Sequence, residues 1–179
     1  MGSTSATSRQ KVTDSLNHWQ TLAKAIKDED RLLRNRLSSC PRSLREIRGP
    51  DGALTFKETL GHIAFWDSFT VEFFAAKLDV GSCAPSPPVN FEERSKKALI
   101  EVEELPFGEV LARYLESTGA LLDFLESSWE KLSTREQHDF WVPLKHRRHH
   151  RITLFRALDQ MAGLEPLKNG GEQEMAAGA

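Results

Sequence analysis

The chain has 179 residues, 39% of them hydrophobic and 28% charged, with a formal net charge of −2 at pH 7. That length fits one domain, and that balance fits a globular protein rather than a disordered one. The small net charge argues against a surface built as a whole for nucleic acid or for an anionic membrane, so neither is an expected partner.

Residues 1–9 are rich in Ser and Thr and lack the apolar stretch of a secretory signal. No apolar run is long enough to span a bilayer. The two cysteines, Cys40 and Cys83, form no C-x-x-C pair and suggest neither a disulfide framework nor a cysteine zinc site. They read as reduced thiols in a cytoplasmic protein. Residues 1–9 and 168–179 read as flexible tails around a domain over 10–167, the C-terminal stretch having no core-forming residues.

Four long segments carry helical periodicity, and strand alternation is absent. The first covers residues 14–37, with Leu16, Trp19, Ala23, Ile26, Leu33 and Leu37 along one stripe. Pro41 stops it by disfavouring helix at Cys40. Thr55 and Glu58 have the spacing of a capping box and announce a second helix that runs to about Asp79. One of its arcs holds Phe56, Leu60, Ile63, Phe74 and Leu78, and another holds Phe65, Trp66, Phe69 and Phe73. Such a helix must be covered on more than one side, by a deep core or by a second copy in a homodimer. Residues 81–88, with three prolines, read as an extended connection.

A short helix is expected within 90–104, where Asn90 and Glu93 again have cap spacing, as part of a long crossover. The third long helix covers 107–132, with Phe107, Leu111, Tyr114, Thr118, Leu121, Leu125 and Leu132 as its seam. Residues 133–140 read as a capped turn. Pro143 suits the first turn of the last helix, and Gly163 suits its end. Four amphipathic helices and one long crossover predict an all-α four-helix bundle.

Six histidines are present. His146 and His150 are four residues apart on the last helix, a spacing that lets two imidazoles converge on one ion. Their face continues into Leu154, Ala157, Leu158 and Met161, so they point toward the interior. His62 lies on the arc of Trp66, Phe69 and Phe73 and needs a polar partner there, because an unsatisfied buried polar group costs about 1–3 kcal/mol. A shared metal would satisfy all three and leave a fourth position open, as catalytic sites do. The plainer readings stand beside this one. A single buried histidine is usually a hydrogen-bonded core residue, and the run His146-Arg147-Arg148-His149-His150-Arg151 also reads as a solvated basic patch or a nucleic-acid contact through its arginines. Spacing alone does not decide between them. His149 reads as flanking, and His18 and His138 as surface residues.

The stretch from Ala53 to Asp67, ALTFKETLGHIAFWD, resembles the second-helix signature of the DinB-like superfamily, with its cap, glutamate and histidine. The stretch from Pro143 to Leu154, PLKHRRHHRITL, is similar to that family's last helix with its H-x-x-x-H. Helix order and crossover also match, so the resemblance covers about residues 14–164. It implies an up-down-down-up bundle with a crossover between helices 2 and 3. It also implies a divalent ion, zinc or nickel, on His62, His146 and His150. Members of that superfamily include bacillithiol-using thiol transferases and a mycothiol-dependent maleylpyruvate isomerase, so the resemblance also implies a low-molecular-weight thiol as cosubstrate.

The expected activity is therefore that of a metal-dependent thiol S-transferase acting on a small-molecule substrate. Glu58, one turn before His62, is the expected carboxylate behind a ligating imidazole, in competition with its capping role. Trp66, Phe69 and Tyr114 are candidates to line a pocket, with core packing the more ordinary role for each. A metal-dependent hydrolase with an activated water, and a non-catalytic dimeric bundle or binding module, are the rival readings.

Overall fold

The computed structural model describes residues 5–80 and 90–163, and all regular structure among them is helical. The α-helices are α1 (Ser5–Ser39), α2 (Phe56–Val80), α3 (Phe91–Glu104), α4 (Phe107–Ser128), α5 (Thr134–Asp139) and α6 (Trp141–Met161). Single 3₁₀ turns occupy Arg42–Leu44, Pro50–Gly52 and Trp129–Lys131. The connection expected at 81–88, Cys83 and the stretch 168–179 lie outside the described residues. No helix among the described residues is long and apolar enough to cross a membrane.

Local chemistry sets most helix ends. The Glu58 amide donates to the Thr55 hydroxyl and the Thr55 amide to the Glu58 carboxylate, which starts α2 with the expected capping box. The Asn90 side chain accepts from the Glu93 amide at the start of α3. Ser133 and Glu136 cap α5 reciprocally. Gly163, at φ +68°, takes the left-handed conformation that ends α6. Two boundaries differ from expectation. Helix α1 begins at Ser5, inside the stretch 1–9 expected as a tail, because 5–13 contains no breaker although its apolar stripe begins only at Leu16. Helix α4 ends at Ser128 rather than near Leu132, as the chain tightens into a 3₁₀ turn that buries Trp129 before Leu132 turns extended.

Helix α2 is central. It packs most extensively on α4 and also lies against α3 and α6, while α6 in turn packs on α1. The apolar interior falls into two clusters. One gathers Leu33, Leu37, Phe56, Leu60, Ile63, Tyr114, Leu154 and Leu158. The other gathers Leu22, Ile26, Phe74, Leu121, Leu125, Trp129, Phe140 and Leu144. Burying each such large side chain contributes about 1.5–3 kcal/mol. Between the clusters the stripes of all four long helices turn polar at one level, through Glu29 and Asp30 on α1, Asp67 on α2, Thr118 on α4 and Arg147 on α6, all buried. The second aromatic arc of α2 (Phe65, Trp66, Phe69 and Phe73) is only half-buried, so that helix is covered on fewer sides than its composition suggests.

Gly61 lets α2 and α3 approach closely. A Cβ there would overlap Cγ2 of Val102 and stand 2.9 Å from its Cγ1. Gly61→Ala is therefore expected to cost about 1–3 kcal/mol through overpacking, read as a lowered urea midpoint. Adding Val102→Ala should recover part of the loss, and a single variant as stable as the parent would refute this account.

Candidate metal centre

Helix α2 carries His62 inward beside the start of its aromatic arc, and α6 carries His146 and His150 one turn apart on the facing side. The three side chains meet. His146 Nε2 is 3.1 Å from His62 Nε2 and 3.0 Å from His150 Nε2. The ring centroids are 4.9 Å apart for His62–His146, 4.6 Å for His62–His150 and 4.4 Å for His146–His150. These are the residues expected from the sequence, and among the described residues they form the group that could hold a metal ion.

The donor set fits a cation. A tetrahedral ion with bonds of about 2.0–2.1 Å to imidazole places its ligand nitrogens roughly 3.3 Å apart, within a few tenths of an ångström of the contacts here. Hydrogen bonding alone serves the cluster poorly. His146 Nε2 has either one in-plane lone pair or one N–H, yet it faces two ring nitrogens. Charge state agrees. Burial first, and the neighbouring histidines after it, pull His146 down to about 4 and His150 down to about 3. Burial pulls His62 down as well. At neutral pH all three rings are neutral, the form that ligates.

Every residue of the run from His146 to Arg151 except His149 is engaged with the interior or with α1. Arg147 is fully buried, and its Nε donates to Asp67 Oδ1 at 3.1 Å while its Nη2 bonds Asp67 Oδ2. It also donates to the Tyr114 hydroxyl at 3.3 Å and to Thr118 Oγ1 at 2.8 Å. Burial pushes the Asp67 carboxyl up, and the guanidinium opposes that push. Arg148 and Arg151 both reach the buried Glu29 on α1, with Nε at 3.0 and 2.5 Å from its carboxylate oxygens. Arg151 is largely buried, with 17% of its side chain exposed. Each of these arginines is paired with a carboxylate of another helix, and Arg148 keeps about half of its side chain in water. His149 is exposed beside His150, and His18 and His138 are exposed as expected.

The remaining expected site residues divide. Trp66 and Phe69 line a cavity of about 590 Å³ that opens beside His62 and His146, and the Trp66 ring meets both imidazoles edge-on, at 6.3 and 6.1 Å between centroids. Tyr114 does not line it. Its ring is buried in the core, and burial pushes its hydroxyl up, so it stays a neutral partner of Arg147. Glu58 accepts from the Thr55 amide and pairs with Arg48, so its carboxylate serves the helix start. His62 Nδ1 is buried without a hydrogen-bond partner among the described residues, so no acceptor there fixes that nitrogen. Cys40 is buried, and burial pushes its thiol up, which leaves it a poor nucleophile. The Asp67–Arg147 pair is the arrangement that sequence reasoning missed. The available signal was Arg147 itself, which shares a helical stripe with Leu154 and Leu158, seven and eleven residues on.

Two outcomes follow from this geometry. In the metal-free chain the histidines titrate lower when folded than when unfolded, where the value is about 6.5. The unfolded chain therefore gains protons first as pH falls. Stability is full above about pH 6.5 and declines as pH falls toward 4, seen as a falling urea midpoint that His150→Ala flattens. A midpoint that ignores pH in this window would contradict the burial described. Asp67→Ala strands a buried guanidinium and should cost roughly 3–5 kcal/mol, whereas the paired change Asp67→Leu with Arg147→Met should recover most of it. Equal losses in the single and paired variants would refute the ion pair as the cause. No family model matches this chain, and neither a curated protein nor a solved structure matches it significantly, so the three imidazoles stand on their own geometry.

Proposed function

We propose that the chain is a divalent-metal protein of the DinB-like type and that it acts as a thiol S-transferase. In this reading α1, α2, α4 and α6 form the up-down-down-up four-helix bundle, and α3 belongs to the crossover. His62, His146 and His150 are the metal ligands, for zinc or nickel, and a low-molecular-weight thiol is the cosubstrate. The observation that carries the reading is the meeting of three Nε2 atoms from two helices, with 3.0 and 3.1 Å between neighbours.

A divalent cation held there supplies Lewis acidity, which lowers the pKa of a thiol and favours its thiolate. The chain's own residues supply the rest. Burial keeps the three imidazoles neutral, so they offer lone pairs rather than protons. Arg147, anchored by Asp67, Tyr114 and Thr118, locks the turn of α6 that carries His146 and His150. Trp66 and Phe69 form an apolar wall beside the imidazoles, where an electrophile is kept from water.

Protein prepared without chelators is expected to carry about one divalent ion per chain by elemental analysis. His150→Ala should lose the ion while keeping its helical circular dichroism. A chain that neither retains nor rebinds an ion ends this reading. Turnover of an electrophile should require added thiol, and turnover with water alone would favour the hydrolase instead.

A further inference from the structure

The cavity beside the histidines has a second end. Helix α2 supplies His62, Trp66, Phe69, Phe73 and Lys77 to it, at intervals of three or four residues that place them on one stripe. At about 1.5 Å of rise per residue, His62 and Lys77 stand roughly 22 Å apart along the helix axis. The cavity is therefore an elongated groove, and its volume of about 590 Å³ lies in the range of small-ligand sites, which is roughly 300–1,000 Å³. Its rim includes Phe91 and Val142, large apolar side chains that are 59% and 61% exposed. Their exposure leaves apolar surface in water along the length of the groove.

Charge distinguishes the two ends. The histidine end is lined by His62, Trp66 and His146. Toward the other end Lys77 and Arg135 line the groove, while Arg94 lies at its middle, over the Phe69 ring at 5.0 Å from its centroid. Among the described residues none of these three cations makes an ion pair. Lys77 instead sits over the rings of Phe73 and Phe74, at 4.6 and 5.8 Å. Two carboxylates are near. Asp139 lines the groove, and Glu136, whose carboxylate accepts from the Ser133 amide and hydroxyl, stays ionised and is also drawn toward the Lys77 charge.

We propose that this groove binds an elongated apolar molecule with one anionic terminus, of the long-chain carboxylate class. Lys77 and Arg135 hold the anion, the aromatic stripe of α2 covers the chain, and the far end of the ligand reaches the histidine cluster. The proposal names the substrate class for the metal site and in that respect rests on the function proposed above, although binding itself needs only the groove.

The test uses the full chain after chelator treatment, titrated with dodecanoate and separately with dodecanol below their aggregation limits. Binding is read by calorimetry and by the change in tryptophan emission as Trp66 is covered. Dodecanoate is expected to bind at least about fivefold more tightly than dodecanol, the difference two rim cations supply. Lys77→Gln with Arg135→Gln should abolish that preference and leave dodecanol binding unchanged. Trp66→Phe should remove the emission change and leave the calorimetric signal. Equal affinity for acid and alcohol, binding of neither, or a preference that survives the double variant would each overturn the proposal. His62→Ala separates the two readings. Dodecanoate binding by a chain that holds no ion sinks thiol transfer alone, whereas an ion-loaded chain indifferent to dodecanoate sinks the ligand class alone.

Discussion

The buried contact between Arg147 and Asp67 is the constraint around which the helices are arranged. A guanidinium and a carboxylate fully removed from water each carry a desolvation penalty of several kcal/mol, offset only when geometry is good and the remaining donors are used. Both conditions are met. Arg147 donates to Asp67 through two nitrogens and to Tyr114 and Thr118 as well. The Thr118 hydroxyl in turn donates to the Tyr114 carbonyl at 2.7 Å. Such a knot contributes little net stability compared with an apolar filling. Its effect is on alignment, because α2, α4 and α6 can satisfy these groups at one relative height only.

That alignment places the candidate metal centre. His62 stands five residues before Asp67 on α2, and His146 directly precedes Arg147 on α6. When the ion pair forms, the imidazoles are brought level at the edge of the same polar layer. Glu29, by binding Arg148 and Arg151, holds the outer side of α6 against α1 at that height. The polar layer thus divides the apolar interior into two clusters and gives the molecule a defined middle, with the groove opening from it along α2.

The helices and the histidine cluster were legible in the sequence because both rest on local periodicity. Apolar spacing marked α2, α4 and α6, cap spacings marked the starts of α2 and α3, and the four-residue interval of His146 and His150 placed both rings on one face. The ends of α1 and α4 were harder to read. Helix α1 continues through residues whose propensity is adequate but whose pattern is silent, and α4 stops because burial of Trp129 tightens the chain. The ion pairs were illegible for a different reason. Arg147, Arg148 and Arg151 look alike in a basic run, and only the carboxylate that each meets on another helix tells them apart. Glu58 and Tyr114 had their capping and core roles in view, but each also has a partner (Arg48 and Arg147) that no local spacing announces.

The same run of α6 has a consequence for how this segment can vary. Consecutive positions from 146 to 151 address α2, then the centre, then α1, then solvent, then α2 and α1 again. Each step turns the helix by about 100°. Losing or gaining one codon here would hand every side chain to its neighbour's direction, driving an imidazole to the centre and a guanidinium into the histidine cluster. Variation in this stretch is thereby confined to exchange in place, and His149, facing water, is the position with room for it.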